Sequence, residues 1–210
     1  YTQSMNYQLL LFALLCVIHI CARDMRMEKI SRFTKVLLMP SLLWYYLSVQ
    51  TEPKSLAVLV IVALVLHTIG DAFLLFPGQW LMAGIGGASF FVGHILYIRY
   101  LALHMQSPGY MLVVAILAIY PIVLAGKLVK RTPAPIPMFL YMLVLVVEAM
   151  FCAGAGDLVS LFGVVFFATS DTLLGYNSIE KKFSDVTIMA TYMFAEFLIV
   201  VGFLLRQGAL

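Results

Sequence analysis

Charged residues are scarce in this chain of 210 residues, where Asp, Glu, Lys and Arg together make up 11% of the sequence. A soluble domain usually carries about a quarter charged residues. Hydrophobic residues make up 63%, which is more apolar surface than a water-soluble fold can bury. The composition therefore excludes a soluble globular domain and predicts an integral membrane protein.

Several chemical signatures are also missing. The net charge is only +3, and no basic stripe with interleaved aromatic residues is present, which argues against a nucleic-acid partner. The three cysteines, Cys16, Cys21 and Cys152, lie in or beside apolar runs, and we interpret them as small core residues. No CxxC, HExxH or P-loop pattern occurs. We therefore expect neither a metal nor an organic cofactor.

Eight continuous apolar runs predict membrane-spanning helices. They are Tyr7–Ala22, Thr34–Val49, Ser55–Phe76, Trp80–Leu103, Tyr110–Leu128, Ile136–Ala153, Leu158–Tyr176 and Val186–Leu205. The connections are short and contain Pro or Gly, so consecutive helices should be antiparallel neighbours. We predict an all-α fold in which residues 5–210 form a single compact domain of eight transmembrane helices. Residues 1–4, which precede Met5, are interpreted as the remnant of a tag.

The basic residues are distributed unevenly between the two sides of the predicted bundle. Those that follow odd-numbered segments are Arg23, Arg26, Lys29, Arg32, Lys35, Lys127, Lys130, Arg131, Lys181 and Lys182. The other side has only Lys54, Arg99 and Arg206. Because basic loops stay in the cytoplasm, both termini are predicted on the non-cytoplasmic side. The short loops favour a bacterial inner membrane, with the endoplasmic reticulum as the location if the protein is eukaryotic.

Two aspartates interrupt apolar runs, Asp71 in segment three and Asp171 in segment seven. Each lies about five residues, or roughly 7–8 Å, from the predicted cytoplasmic end of its helix. An acid inside a membrane helix costs about 3 kcal/mol or more, so each should face a partner or a wet cavity. Their spacing of four segments is also what a tandem four-plus-four duplication would give.

The two acids allow two interpretations. In the first, two carboxyls in a low-dielectric pocket differ in protonation, because a like charge opposes ionisation of both. One can then serve as general acid and the other as general base. In the second, both are hydrogen-bonded to neighbouring hydroxyls or amides and only fix the helix packing. The first interpretation is favoured, because intramembrane acids usually have a function.

Polar side chains on or beside segments three, four, seven and eight are candidate pocket residues. They are His67, His94, Tyr97, Asn177, Tyr192 and Glu196. His67 lies one turn before Asp71 on the same helical face, where a hydrogen-bonded packing role is an equally good interpretation. Asn177 can alternatively cap segment seven. Glu148 is placed toward the far side by the predicted orientation and ranks below Glu196.

Basic residues at the predicted cytoplasmic rim are candidates for binding the phosphate of a lipid head group. They are Arg32, Lys35, Lys181 and Lys182. Lys35 enters segment two, where a long ammonium side chain can reach toward a phosphate or an acid. A role as a topological anchor is the alternative.

Four stretches, in order along the chain, resemble the motifs of one known family. They are Gly70–Leu75, Gly87–Tyr97, Phe167–Leu174 and Thr191–Glu196. The family is the YhhN-like lysoplasmalogenases, eight-span membrane enzymes. The resemblance implies hydrolysis of the vinyl ether bond of lysoplasmalogens, with Asp71 and Asp171 as the catalytic pair. The products would be a fatty aldehyde and glycerophosphoethanolamine or glycerophosphocholine. The last-span motif more often carries Gln where this chain has Glu196.

The residues suit this reaction. Enol ether hydrolysis needs a general acid that protonates the alkene carbon and a base that activates water, much as in glycosidases. The substrate would be a lysophospholipid whose tail lies among Leu, Phe and Met side chains. The main alternative is a small secondary transporter or proton-coupled carrier, since carriers also use intramembrane acids. A scaffold or receptor with incidental polar residues is a third interpretation.

Overall fold

The computed structural model describes residues 7–76, 78–130 and 135–210, with the backbone alone at residues 120, 121, 124, 125, 128 and 129. The predicted tag remnant and three residues of the predicted connections, Pro77, Arg131 and Pro133, lie outside the described residues. The helices are α1 (Tyr7–Asp24), α2 (Glu28–Val49), α3 (Lys54–Phe73), α4 (Trp80–Leu103), α5 (Gly109–Val129), α6 (Pro135–Ala155), α7 (Leu158–Ile179) and α8 (Asp185–Arg206). No strand occurs in these ranges, so the all-α prediction is confirmed.

Six of these helices, α1, α3, α4, α6, α7 and α8, are long and apolar enough to cross a membrane. Such helices identify an integral membrane protein. Helix α2 has a charged first turn, and the described part of α5 contributes only a shorter apolar stretch, Gly109–Ile119. The count of eight spans and the side on which the termini lie remain predictions.

Three helix boundaries differ from the predicted ones by three residues or more, and two of them change the depth of the acids. Helix α2 begins at Glu28 rather than Thr34. Its first turn is polar and contains a Glu28–Arg32 ion pair of 3.3 Å, so a search for apolar runs does not include it. Helix α3 ends at Phe73 rather than Phe76, in a turn closed by i to i−3 hydrogen bonds. Helix α7 continues to Ile179 rather than ending at Tyr176.

The prediction that both acids lie five residues from a helix end is therefore wrong. Asp71 is two residues from the end of α3, and Asp171 is eight residues from the end of α7. The apolar run of α3 extends three residues beyond the end of the helix, because Leu74–Phe76 are apolar residues in a turn. Helix α7 extends three residues beyond its apolar run, because Asn177 is polar but still helical.

Six helices surround the interior of the bundle. Contacts run in a closed cycle from α2 to α3, α4, α6, α7 and α8 and back to α2. Helix α1 packs outside this cycle against α2 and α8, and α5 packs outside it against α6 and α7. Helix α8 is the most buried of the six candidate spans. Side chains on the inner faces of six helices can therefore meet in one place.

The contacts of α1–α4 repeat in α5–α8. The neighbours α1–α2, α2–α3 and α3–α4 correspond to α5–α6, α6–α7 and α7–α8, and the contact of α4 with α6 corresponds to that of α8 with α2. In this arrangement Asp71 on α3 and Asp171 on α7 occupy corresponding helices. A tandem duplication of a four-helix unit would produce this pattern.

The end of the bundle opposite Asp71 is closed by polar contacts. His104 Nε2 lies 3.0 Å from Glu52 Oε1, and the Tyr100 hydroxyl donates to the same oxygen at 3.2 Å. The Gln207 amide donates to the Tyr100 hydroxyl at 3.2 Å, and Arg206 donates to the carbonyls of His104 and Ala155. These bonds connect the three chain reversals at this end, α2–α3, α4–α5 and α6–α7, with the end of α8.

Candidate active site

Asp71 lies near the end of α3 with 1% of its surface exposed. Lys35 Nζ of α2 is 3.5 Å from Asp71 Oδ1, and the Tyr192 hydroxyl of α8 donates a 2.8 Å hydrogen bond to Asp71 Oδ2. Both carboxylate oxygens thus have a partner, as a buried charge requires. Three helices converge on this one side chain.

Asp171 lies on α7, is partly buried, and is hydrogen-bonded to the Tyr141 hydroxyl of α6. Lys35, which contacts Asp71 directly, also acts electrostatically on Asp171, and so do His67 and Glu196. The two aspartates therefore share one electrostatic environment. They differ in their direct partners, an ammonium and a phenol for Asp71 and a phenol for Asp171.

An aromatic layer lies beside the acids. Phe90 of α4, Phe167 of α7 and Tyr192 of α8 are in mutual contact, with ring centroids 5.6–6.0 Å apart. Phe90 and Phe167 also contact the His67 ring, at 5.0 and 6.1 Å. Tyr192 connects this layer to Asp71 through its hydroxyl. The acids are thus bounded by rings on the side of the bundle interior.

Two histidine–glutamate pairs lie in the interior, and all four residues are 0% exposed. His67 Nδ1 is 2.5 Å from Glu196 Oε1, and His94 Nδ1 is 2.6 Å from Glu148 Oε2. The two imidazole rings are 4.9 Å apart, and the Tyr97 ring lies 5.3 Å from His67 and 6.0 Å from His94. We call these five residues the His–Glu layer.

A glycine makes room for this layer. A Cβ at Gly93 of α4 would overlap the Nε2 atom of His67 and lie 3.3 Å from the Ala63 carbonyl oxygen. The backbones of α3 and α4 therefore approach closely, and the imidazole lies directly against α4. Helix α4 can hold the His67 ring in this position only with glycine at residue 93.

The structure brings seven of the predicted site residues into the interior. They are Lys35, His67, Asp71, His94, Tyr97, Tyr192 and Glu196. Asp171 joins them through Tyr141, whose ring lies 6.0 Å from that of His94. Residues drawn from five helices in the sequence prediction thus form one connected cluster.

The remaining four predicted residues have other surroundings. The Asn177 amide oxygen accepts hydrogen bonds from the backbone N–H groups of Lys182 and Phe183, and its nitrogen donates to the Phe183 carbonyl. Asn177 thus holds the α7–α8 connection. Arg32 pairs with Glu28 on the exposed surface, Lys182 Nζ lies 2.7 Å from Glu180 Oε2, and Lys181 is exposed.

Four members of the cluster, Glu148, Tyr141, Phe90 and Phe167, are not among the predicted site residues. Glu148 was ranked low because orientation placed it toward the far side, yet it pairs with His94 in the interior. Phe90 and Phe167 lie within two of the family-like stretches but are not among the predicted site residues, and Tyr141 lies outside all four stretches and carries no signal among the 11 tyrosines of the chain. Among the residues described, no group of three or more His, Cys, Asp or Glu is arranged to hold a metal ion.

A comparison with protein families gives one match. The model of the YhhN family matches residues 30–203, which run from the first turn of α2 to near the end of α8. This range contains both aspartates and the whole His–Glu layer. Comparison with curated proteins and with solved structures gives no match.

Proposed function

Because the chain belongs to the YhhN family, we propose that it is a hydrolase that cleaves the vinyl ether bond of lysoplasmalogens. The products are a fatty aldehyde and glycerophosphoethanolamine or glycerophosphocholine. The observation that carries the proposal is the presence of two intramembrane carboxyls with different partners in one cluster. Family membership supplies the reaction class, and the carboxyls supply a chemistry that fits it.

The two carboxyls take different roles. The Lys35 ammonium, 3.5 Å from Asp71, stabilises the ionised form of that carboxyl, whereas the hydrogen-bond partner of Asp171 is the neutral phenol of Tyr141. We assign Asp71 as the general base and Asp171 as the general acid. Two carboxyls whose surroundings separate their protonation states are the usual arrangement for such a pair.

The reaction proceeds in three steps. Asp171 transfers its proton to the alkene carbon that does not carry the ether oxygen, and the C=C π electrons form the new C–H bond. The carbon bonded to oxygen becomes an oxocarbenium centre. Water adds to that carbon while Asp71 accepts one of its protons, which gives a hemiacetal. Collapse of the hemiacetal breaks the C–O bond to glycerol. Asp71 gives its proton to the leaving glycerol oxygen and Asp171 accepts the proton of the hemiacetal hydroxyl, so aldehyde and alcohol leave as neutral groups and both carboxyls regain their starting protonation.

The substrate is a lysophospholipid taken from the membrane. Its vinyl ether joins the tail to the glycerol and therefore lies just below the head group, at the level of the lipid interface. Asp71, two residues from the end of α3, lies near one end of the bundle, which supports a substrate bound at the interface. The predicted rim residues Arg32, Lys181 and Lys182, together with Lys35, provide positive charge for the phosphate.

The test is aldehyde release by purified Asp71→Asn and Asp171→Asn proteins. Each variant should lose about 10²–10⁴-fold in kcat, the usual contribution of general acid–base catalysis. Asp24→Asn, at the exposed end of α1, is the matched control and should keep full activity. Retention of activity by either site variant, with unchanged thermal unfolding, would rule out the two-carboxyl mechanism.

A second candidate, a proton-coupled carrier, is favoured by one observation. Polar groups continue from the His–Glu layer toward the opposite end of the bundle, through the buried Tyr46 and Tyr100 to Gln207. A carrier needs such a line of groups across the membrane. Reconstituted protein that moves protons or solutes but releases no aldehyde would favour this candidate over the hydrolase.

A further inference from the structure

Five polar atoms of the His–Glu layer have no hydrogen-bond partner in the part of the chain that the structure describes. They are His67 Nε2, His94 Nε2, Tyr97 Oη, Glu148 Oε1 and Glu196 Oε2. All belong to residues that are 0% exposed. A buried polar atom left unpaired destabilises the fold by about 1–3 kcal/mol, so five such atoms in one place would lower the stability considerably.

These atoms belong to adjacent side chains from four helices. The rings of His67, His94 and Tyr97 lie within 6.0 Å of one another, and each imidazole contacts one of the two carboxyls. Carboxylate oxygens accept hydrogen bonds, a phenol both donates and accepts, and an imidazole nitrogen does either. A ligand for this set must therefore donate and accept in several directions, which an alkyl chain cannot do.

We propose that the His–Glu layer binds water inside the membrane and supplies the molecule that the hydrolysis consumes. Buried water typically makes about three hydrogen bonds to protein groups that otherwise lack partners. The inference rests on the proposed function for its second half, the supply of water, and on the layer itself for the first half. It gives the histidines and glutamates a task distinct from that of the aspartates.

The layer lies close to the acids that would use the water. His67 lies four residues before Asp71 on α3, and Glu196 lies four residues after Tyr192 on α8. Four residues are about one helical turn of 5.4 Å. Each hydrolysed bond consumes one water molecule, and both the lipid tail and the ring layer of Phe90 and Phe167 exclude bulk water from this side. Water held in the layer lies about one helical turn from the base.

The first test detects water directly and needs no substrate. X-ray hydroxyl-radical labelling in ¹⁸O water, followed by mass spectrometry, marks side chains that touch water. Tyr97 and Phe167, 0% and 1% exposed, should be labelled at rates comparable to the exposed Phe183. Phe12, buried at 4% and stacked on Phe197, is the dry control. Labelling of Tyr97 no faster than that of Phe12 would overturn the proposal.

The second test removes half of the layer. His94→Phe combined with Glu148→Leu replaces both partners with apolar groups, which a core tolerates better than the loss of one partner. Labelling of Tyr97 should fall toward that of Phe12, and kcat should fall about 10²-fold with little change in KM. His104→Phe with Glu52→Leu, the same change in the pair at the opposite end, should leave both unchanged.

The outcomes separate the two proposals. Loss of Tyr97 labelling without loss of activity would overturn the supply of water. Labelling of Tyr97 in a protein that hydrolyses no vinyl ether would overturn the proposed function and support the water site. Slow hydrolysis in the double variant, with Asp71 and Asp171 intact and the protein folded, would support both.

Discussion

The Tyr192 hydroxyl donates a 2.8 Å hydrogen bond to Asp71 Oδ2, and one turn away on both helices His67 Nδ1 lies 2.5 Å from Glu196 Oε1. Helices α3 and α8 are thus joined by two side-chain contacts, four residues apart on each helix. Over the described residues, the backbones of these two helices are not in close contact. Long polar side chains fill the space between them, and this is where the candidate site lies.

Removing the hydroxyl of Tyr192 or of Tyr141 should impair the aspartate that it contacts, Asp71 or Asp171, without disturbing the packing of the ring. Tyr192→Phe keeps the ring contacts with Phe90 and Phe167 but loses the hydrogen bond to Asp71. A hydrogen bond to a charged group contributes about 1.5–3 kcal/mol, so aldehyde release should slow about 10- to 100-fold. Steady-state kinetics of the purified variant measures the change.

Tyr141→Phe is the matched variant for Asp171, and it should also slow aldehyde release. Tyr176→Phe, on α7 beside the exposed loop residue Phe183, is the control and should retain wild-type kinetics. Wild-type rates in both Tyr192→Phe and Tyr141→Phe would show that these phenols do not support the acids.

Lys35 and Asp71 should be energetically coupled. Lys35→Met keeps the length of the side chain and removes its charge, leaving a buried carboxylate without its cation, which is destabilising. The same substitution in an Asp71→Asn background should cost less. Thermal or denaturant unfolding of the four proteins should give a coupling free energy of about 0.5–3 kcal/mol. Additive effects would mean that the 3.5 Å contact contributes nothing.

Gly93→Ala should disturb the His–Glu layer through a single methyl group. The new Cβ would overlap His67 Nε2 and displace the imidazole, whose Nδ1 contacts Glu196. Overpacking of this kind costs about 1–3 kcal/mol, and activity should fall as well. Thermal unfolding and aldehyde release measure the two effects.

Gly87→Ala, on the same helix with no atom within 4 Å of the new Cβ, is the control. It should leave activity unchanged and stabilise the helix by up to about 1 kcal/mol. Equal effects of the two substitutions would mean that the close approach at Gly93 does not hold the imidazole.

Asp157, in the turn between α6 and α7, should make stability depend on pH. Its carboxylate caps α7 by accepting from the Ser160 N–H at 2.9 Å and the Ser160 hydroxyl at 2.7 Å, yet burial raises its pKa above the ordinary value. The folded protein therefore binds a proton in a pH range where the unfolded chain does not. Stability contributed by this group falls as the pH rises through the raised pKa.

Asp157→Asn should flatten that dependence while keeping the helix cap, since Asn is an equally good N-cap residue. Asp157→Ala removes the cap and should cost about 1 kcal/mol at all pH values. Unfolding midpoints of the three proteins across the acidic range give the comparison. A wild-type midpoint that rises with pH through this range would contradict the assignment.

Local sequence accounts well for the helices and poorly for their ends. Continuous apolar runs predict the helices because a helix in lipid must be apolar along its whole length. Their limits mark where the chain becomes polar, which is not where it leaves the helix. At the end of α3 an apolar turn extends past the helix, and at the start of α2 a polar ion-paired turn belongs to it.

The partners of the acids could be predicted only in part. Tyr192 and Lys35 are among the predicted site residues, but nothing local shows that both contact Asp71. Tyr141, the partner of Asp171, lies 30 residues away from it and resembles any other membrane tyrosine. Glu148 ranks below Glu196 on loop charges, which bear on its depth; its contact with His94 depends on which helices are neighbours.

The amino-acid sequence by itself determined that this is a helical membrane protein with two acids in apolar helices, and the motifs around those acids indicated its family. Those properties depend on composition and on residues close together in the chain. Only the tertiary structure decided that Glu148 faces His94, that Glu196 faces His67, and that Asn177 holds a loop. Such pairings arise from helices that meet around a common interior, and no local pattern records which helices those are.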